Sequence, residues 1–295
     1  MKRILIPIAI AVACSFATAA PAASVDQSTW SSSKKFVQLP NGIRMAYVEL
    51  GDPNGEPLLL LHGYTDSSRG WSLVTPHLGQ YRLLIPDQRG HGAASAPECC
   101  YAISDFAYDA KLFLDALGVK RAAIAGHSMG SMVAIEMAAR HPDRVTKIAL
   151  LGSTGLAPVK RGTWLYDNAT ALKVPLDPGS PFMRDWHPAN QPTPVDKAFA
   201  DAAMSEILAT PLHVWHGVMR ELEDVPVARH APDVKAPVLV LSGGADPLFP
   251  PEHHASLLKA FPKALSHVYP TLGHNFLWET PGDVGARLAA FFAAQ

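Results

Sequence analysis

Ser128 stands between two glycines in AGHSMGSM, residues 125–132. A serine hydroxyl is a weak nucleophile, so the chemistry it offers needs a base to take its proton and an acid to orient that base. Only the context gives a short Gly-x-Ser-x-Gly match meaning: a strand before it, a helix after it, and an acid and a histidine further along. The base candidate is His274 in PTLGHNFLWE, and the acid candidate is Asp246 in VLSGGADPLFP. The other histidines suit the base less well. His253 and His254 fall on a predicted helix, His213 and His216 in a helical insertion, and His62, His91 and His127 in turns, where shaping hydrogen bonds are the simpler reading. The spacing of His213 and His216 would suit a metal, but no third ligand motif accompanies them, so no metal is expected.

The elements that must position these residues follow from hydropathy. RMAYVEL (44–50) reads as a strand, and LLLLHG (58–63) is a continuous apolar run ending in glycine, the pattern of a strand buried on both faces of a parallel sheet. YRLLIPDQRGHG (81–92) repeats that design. SDFAYDAKLFLDALGV (104–119) has helical spacing, with Ser104 as the expected N-cap and Gly118 as the stop. RAAIAGHSMG (121–130) is a strand, SMVAIEMAARHP (131–142) a helix and VTKIALLGS (145–153) a strand. From about 156 to 229 the alternation breaks into Pro- and Trp-rich sequence with helical stretches and no strand signal. It resumes at PVLVL, EHHASLLKAFP and ALSHVYP, and ends in a helix from about Asp283. This rhythm predicts an α/β fold: a mostly parallel sheet with helices on both faces, its core at 36–155 and 230–295, interrupted by a helical cap at 156–229. Ser128, Asp246 and His274 each fall just past the C-terminal end of a predicted strand, where open α/β sheets gather their ligands.

The five segments LLLHGYTDSS, PDQRGHG, AGHSMGS, LSGGADPLFP and LGHN, in that order, resemble the α/β-hydrolase superfamily, in its serine-nucleophile, esterase- or lipase-like form with a helical cap. The resemblance covers nearly the whole chain beyond its N-terminus. It implies that the backbone N–H groups of Tyr64 and Met129 receive the oxyanion, and that Asp87 and Arg89 belong to a structural loop. Some members place the acid one strand earlier, but here that loop reads LLGSTGLAP and has no carboxylate. Haloalkane dehalogenases and epoxide hydrolases share the outline but use an aspartate nucleophile, and position 128 is serine. Within the cap and its rim, Trp164, Phe182, Met183, Trp186, Trp215, Leu248 and Phe249 are the candidates to wall an apolar pocket. Arg161, Arg184 and Arg220 are the cap's candidates for binding a carboxylate, and Asp167, Asp185 or Glu206 for holding an amine.

The expected activity is hydrolysis of a carboxylic ester of a small to medium, largely apolar molecule through an acyl-enzyme, with no cofactor. A lactonase, a C–C bond hydrolase, an aminopeptidase and a cofactor-free perhydrolase would use the same three residues, and a ligand-binding protein retaining the fold is the alternative from another class. The 295-residue chain carries 25 basic and 26 acidic residues, a balance that gives no reason to expect a nucleic-acid partner. Lys2 and Arg3, an apolar run from Ile4 to about Ala17 and small residues after it read as a signal peptide over 1–22, cleaved near 19–23, so the protein is expected in the periplasm or outside the cell. The run is shorter than the roughly 20 residues of a membrane span, and lipid modification at Cys14 is the minor alternative. Beyond it only the adjacent Cys99 and Cys100 remain. Neighbouring Cα atoms about 3.8 Å apart fall below the usual disulfide range of about 4.4–6.8 Å, leaving a vicinal bridge and free thiols as equal options.

Overall fold

The computed structural model describes residues 25–223 and 227–294. The expected signal peptide and Cys14 lie outside them. Eight strands form one sheet: β1 (Lys35–Gln38), β2 (Arg44–Gly51), β3 (Pro57–Leu61), β4 (Arg82–Pro86), β5 (Ala122–His127), β6 (Val145–Leu151), β7 (Val238–Gly243) and β8 (Leu265–Tyr269). Their spatial order is β1-β2-β4-β3-β5-β6-β7-β8. The pairs β1–β2 and β2–β4 are antiparallel, and every pair from β4 to β8 is parallel. The chain crosses from β4 on one side of β3 to β5 on the other, so the loops leaving β3 and β5 diverge and leave a crevice at the C-terminal edge.

The unbroken apolar runs have their cause in the two-sided burial of this sheet. In β3, Leu59 and Leu61 face one core cluster with Phe113 and Ile135, while Leu58 and Leu60 face the other with Trp71 and Trp278. In β7, Val238 and Val240 take the first side, and Leu239 and Leu241 the second. Each such side chain contributes about 1.5–3 kcal/mol by leaving water. The first cluster is covered by α1 (Ile103–Ala116) and α2 (Met129–Arg140); α7 (Pro251–Ala260) adds Leu257 to it, and α9 (Pro281–Ala293) lies on the other. Helix α1 starts one residue before the expected cap: Ala102 is its N-cap, and the carboxylate of Asp105, not Ser104, reaches back to the Ala102 N–H at 3.0 Å. Helix α2 begins directly after Ser128, two residues before the pattern suggested.

The structure also revises one expectation and resolves an open one. The serine-rich stretch STWSSSKK reads as flexible, yet it is packed. Trp30 is buried and its indole N–H donates to Ser68 Oγ at 3.2 Å, and Lys34 Nζ meets Asp87 Oδ2 at 2.8 Å with both side chains buried. The partners lie 38 and 53 residues away, beyond any local pattern. Cys99 and Cys100 are joined to each other in an exposed loop.

Between β6 and β7 lie α3 (Trp164–Ala171), α4 (Pro181–Asp185), α5 (Lys197–Ala209) and α6 (Leu212–Leu222). They cover the crevice and are tied to the loop after β3 by specific bonds. Tyr64 Oη donates to the Trp215 carbonyl at 2.8 Å, and Trp186 Nε1 donates to Thr65 Oγ1 at 2.9 Å. The Arg69 guanidinium holds Glu206 of α5 through Nε at 3.0 Å and Nη2 at 2.7 Å, while its Nη1 donates to the Gln27 carbonyl at 2.8 Å. Glu206 also accepts from Ser67 Oγ. One guanidinium thus joins the N-terminal segment, the core and the cap. Arg69 is buried and Glu206 nearly so, so removing one partner strands the other charge. Glu206→Ala is expected to destabilise the fold by about 2–4 kcal/mol, read as a lower urea midpoint at an unchanged m-value.

Candidate active site

Ser128 is the one residue between the end of β5 and the start of α2, and its backbone sits at φ 51°, ψ −119°. A non-glycine residue there carries about 1–3 kcal/mol of strain, which the surroundings must over-determine. They do so with little slack. Ser128 N–H donates to the Leu151 carbonyl at 2.8 Å, and Ser131 N–H returns to the Ser128 carbonyl at 2.9 Å. A Cβ at Gly126 would lie 2.2 Å from the Gly130 carbonyl oxygen, and one at Gly130 would lie 2.3 Å from the Leu61 oxygen. The glycines flanking the serine are therefore required by close backbone approach. Met129 is the first residue of α2, so its N–H has no carbonyl four residues back within the helix. The Tyr64 N–H takes no protein acceptor among the described residues.

Asp246 and His274 occupy the turns after the neighbouring parallel strands β7 and β8. Gly244 N–H to the Tyr269 carbonyl, 2.7 Å, and Ala245 N–H to the Leu272 carbonyl, 3.0 Å, stitch the turns together. His274 Nδ1 donates to Asp246 Oδ2 at 2.7 Å, and Asp246 Oδ1 accepts from the N–H groups of Leu248 at 2.8 Å and Phe249 at 2.9 Å. Burial alone would raise the Asp246 carboxyl, but the His274 charge and these hydrogen bonds outweigh it and hold the group below its ordinary value. His274 Nε2 is buried and has no protein partner. It shares a cavity of about 450 Å³ with Ser128, Tyr64 and Met129.

Of the residues expected in the apolar wall of that cavity, Trp164, Trp186, Leu248 and Phe249 line it, joined by Met132, Leu165, Ile207 and Trp278. Phe182, Met183 and Trp215, expected in the wall, are buried behind it. Phe182 stacks on Trp186 at 5.7 Å and Trp215 meets the Tyr64 ring edge-on at 5.3 Å, so they brace the rings that face the cavity. In α6, Trp215 is buried with Val214 and Val218, while Met219 and Leu222, one and two turns further on, reach the cavity in its place. Among the cap acids and bases, Glu206 is held by Arg69, Arg161 pairs with Glu223, and Asp167 accepts from the Gly162 N–H; Asp185 lies at the cavity rim, exposed. Arg184 donates to the Gly179 carbonyl, and Arg220 is exposed on α6.

The turn histidines act on the scaffold. His62 Nδ1–H donates to the Gly63 carbonyl at 2.8 Å and its Nε2 accepts from the Gln88 N–H at 2.9 Å, which settles its tautomer. His91 Nδ1 meets the Arg89 carbonyl at 2.8 Å. Burial holds His62 well below its ordinary value and His91 down to about 4. Arg89 is bidentate to Asp109, both bonds 2.6 Å, and Asp87 accepts from Ser68 N–H and Ala93 N–H at 2.8 Å each. His253 and His254 bond Thr154 and Ser242 across α7. Among the described residues no group of three or more His, Cys, Asp or Glu side chains is placed to hold a metal.

One titratable cavity residue escapes the sequence reading. Asp66, two residues beyond Tyr64, lines the cavity beside Ser128 with its side chain only 10% exposed. Burial pushes its carboxyl up to about 7, against the opposing pull of the His274 charge and the Gly63 N–H. The signal was a carboxylate inside LLLHGYTDSS, a segment otherwise given over to turn and backbone roles.

A model of the α/β hydrolase fold matches residues 56–173. The chain is 27% identical over 287 residues to the 2-hydroxy-6-oxo-6-phenylhexa-2,4-dienoate hydrolase of Burkholderia cepacia, covering 90% of this chain and 98% of that protein. It is 36% identical over 120 residues to epoxide hydrolase A of Mycobacterium tuberculosis, a match confined to 39% of this chain and 37% of that one. Among solved structures, an esterase from Exiguobacterium antarcticum superposes with a TM-score of 0.76 over 88% of this chain and 99% of that one; at 18% identity it speaks to the fold.

Two outcomes follow from this geometry. Gly130→Ala must displace the Leu61 backbone and is expected to cost about 3 kcal/mol or more, seen as a drop in thermal midpoint. For Asp66 the sign comes from proton counting. Between pH 4 and 7 the unfolded chain releases a proton that the folded protein keeps, so stability falls as pH rises through that window. Asp66→Asn removes this dependence. Its stability gain over wild type should be small at pH 4, grow to the order of 2–4 kcal/mol by pH 7 and stay level above, as followed by denaturant titration across pH.

Proposed function

Because the chain belongs to the α/β-hydrolase superfamily, we propose that it is an exported serine hydrolase that cleaves a carboxylic ester through an acyl-enzyme. The observation that carries this reading is the His274–Asp246 hydrogen bond of 2.7 Å, with His274 Nε2 unpartnered in the cavity that holds Ser128. Asp246 fixes the proton on Nδ1, which leaves the Nε2 lone pair as base. Ser128 Oγ attacks the ester carbonyl as its proton passes to Nε2. The negative charge on the carbonyl oxygen is received by the N–H groups of Tyr64 and Met129. Two such donors are worth about 2.7–4 kcal/mol of barrier each. The imidazolium then returns its proton to the departing alkoxide, leaving an acyl group on Ser128. Water deprotonated by His274 attacks that group, and Ser128 recovers its proton.

Site chemistry sets this chain apart from the relative named an epoxide hydrolase, because the superfamily resemblance gives those enzymes an aspartate nucleophile where Ser128 stands. The near-complete coverage of the dienoate hydrolase supports one second reading: an oxo-dienoate of the kind in that protein's name as substrate for the same residues. A cavity of about 450 Å³ with an aromatic wall fits a small to medium organic molecule in either case. The basic start, apolar run and small residues of 1–22 support export, with a mature N-terminus near 19–23.

Hydrolysis of p-nitrophenyl esters from acetate to decanoate is the test. Turnover is expected to fall steeply with chain length, and Ser128→Ala or His274→Ala to lower kcat by at least about 10³-fold with the fold intact. Well-folded wild type that turns over none of these esters defeats the esterase reading and moves the assay to oxo-dienoates.

A further inference from the structure

Asp66 has no role in the proton relay, yet it is placed beside it. A Cβ built on Gly63 would lie 3.0 Å from Asp66 Oδ2, 3.2 Å from His127 Nδ1 and 3.2 Å from Ser128 Cβ, so the carboxyl, this imidazole and the stem of the serine converge on one point. The Asp66 side chain is nine-tenths buried, lines the cavity and makes no hydrogen bond to another side chain among the described residues. No lysine or arginine among them lies within ion-pairing distance; Arg69, the nearest in sequence, is engaged with Glu206. The titratable groups that act on it are His127 at the end of β5, His274 after β8 and Glu206 on α5.

Burial and His127 decide which form of the carboxyl fits. His127 Nε2 points its proton at the His274 carbonyl, 3.2 Å away, which leaves a lone pair on Nδ1 facing Asp66 Oδ2 at 3.9 Å. Burial, then repulsion from His274, holds His127 down to about 3, so it stays neutral at working pH. Glu206, paired with Arg69, is the smallest of the influences on Asp66 and pushes in the same direction as burial. Although the His274 charge and the Gly63 N–H favour the carboxylate, an ionised Asp66 would be buried opposite that lone pair and would oppose the charge that develops on the acyl oxygen nearby. A protonated Asp66 avoids both. At 3.9 Å His127 is too far to accept its proton, so the O–H is available to whatever fills the cavity.

We propose that Asp66 is a substrate-binding residue whose protonated carboxyl donates a hydrogen bond to an acceptor oxygen one carbon from the scissile carbonyl. The substrates are then esters of oxygen-substituted acids, of the 2-alkoxy or 2-hydroxy class, in preference to plain alkanoates. This rests on the serine-esterase reading above and narrows its acyl group.

The test compares p-nitrophenyl methoxyacetate with p-nitrophenyl butyrate, which have the same shape and differ by an oxygen in place of a methylene. The ratio of their kcat/KM values, compared between variants, cancels intrinsic ester reactivity. Asp66→Leu is expected to lower the ratio about tenfold, the size of one hydrogen bond lost, while Asp66→Asn, which keeps an N–H donor, retains most of it. In wild type the preference for methoxyacetate should weaken as pH rises through about 7, and in Asp66→Asn it should not. The wild-type pH series needs no variant to fold. A ratio flat with pH in wild type, or unchanged in Asp66→Leu, overturns the proposal while turnover of both esters leaves the esterase reading standing. Equal loss in the Asn and Leu variants overturns the donor role. If wild type cleaves neither ester, the esterase reading fails and takes this inference with it.

Discussion

The strained turn at Ser128 is the constraint on which the rest depends. A positive φ at a residue with a Cβ persists only where the alternatives are worse. Here the carbonyl of Leu151 takes its N–H, and the first turn of α2 approaches β5 and the end of β3 closely enough to forbid side chains at 126 and 130. The sheet core fixes the strands, the strands fix the turn, and the turn leaves the hydroxyl at the C-terminal edge with a helix N-terminus behind it. That end of a helix favours negative charge, so the same backbone path that exposes the oxygen also prepares the place where charge would develop.

Around that turn the protein keeps formal charge scarce. Three histidines near the site are held neutral by burial, each with its tautomer chosen by a backbone carbonyl, and the Arg89–Asp109 and Lys34–Asp87 pairs are satisfied outside the cavity. The Asp246 carboxylate is the exception, kept ionised by its imidazole partner and two backbone N–H groups. Against this background an unpaired carboxyl at position 66 stands out, because a buried group without partners gives up its charge before it gives up its burial.

The cap is joined to the core through the loop after β3, the loop that also carries Tyr64 and Asp66. Trp215 bonds Tyr64, Trp186 bonds Thr65 and Glu206 bonds Arg69. The cap therefore fixes the outer face of the loop whose inner face borders the cavity. Large aromatic rings brace one another from Phe182 through Trp186 to Tyr64, which makes the wall stiff at little cost in side-chain entropy.

The amino-acid sequence alone determined the strand and helix alternation, the mostly parallel sheet, the interruption by helices and the candidate trio of Ser128, Asp246 and His274. Each of these is written in local terms: apolar runs, helical periodicity, and glycines bracketing a turn. What escaped it depended on contacts between distant positions. The packing of Trp30 and Lys34 needed loops 38 and 53 residues away, and the helix N-cap moved to Ala102 because Asp105 answered its N–H. Whether Trp215 or Trp186 meets the cavity depended on which way a cap helix faces once it is docked. Asp66 was in plain view in HGYTDSS, but its burial, its lack of a cation and the lone pair of His127 facing it exist only in three dimensions. Sequence fixes which groups are available near an active turn; their protonation follows from solvent exclusion and neighbouring charge, which only the folded chain supplies.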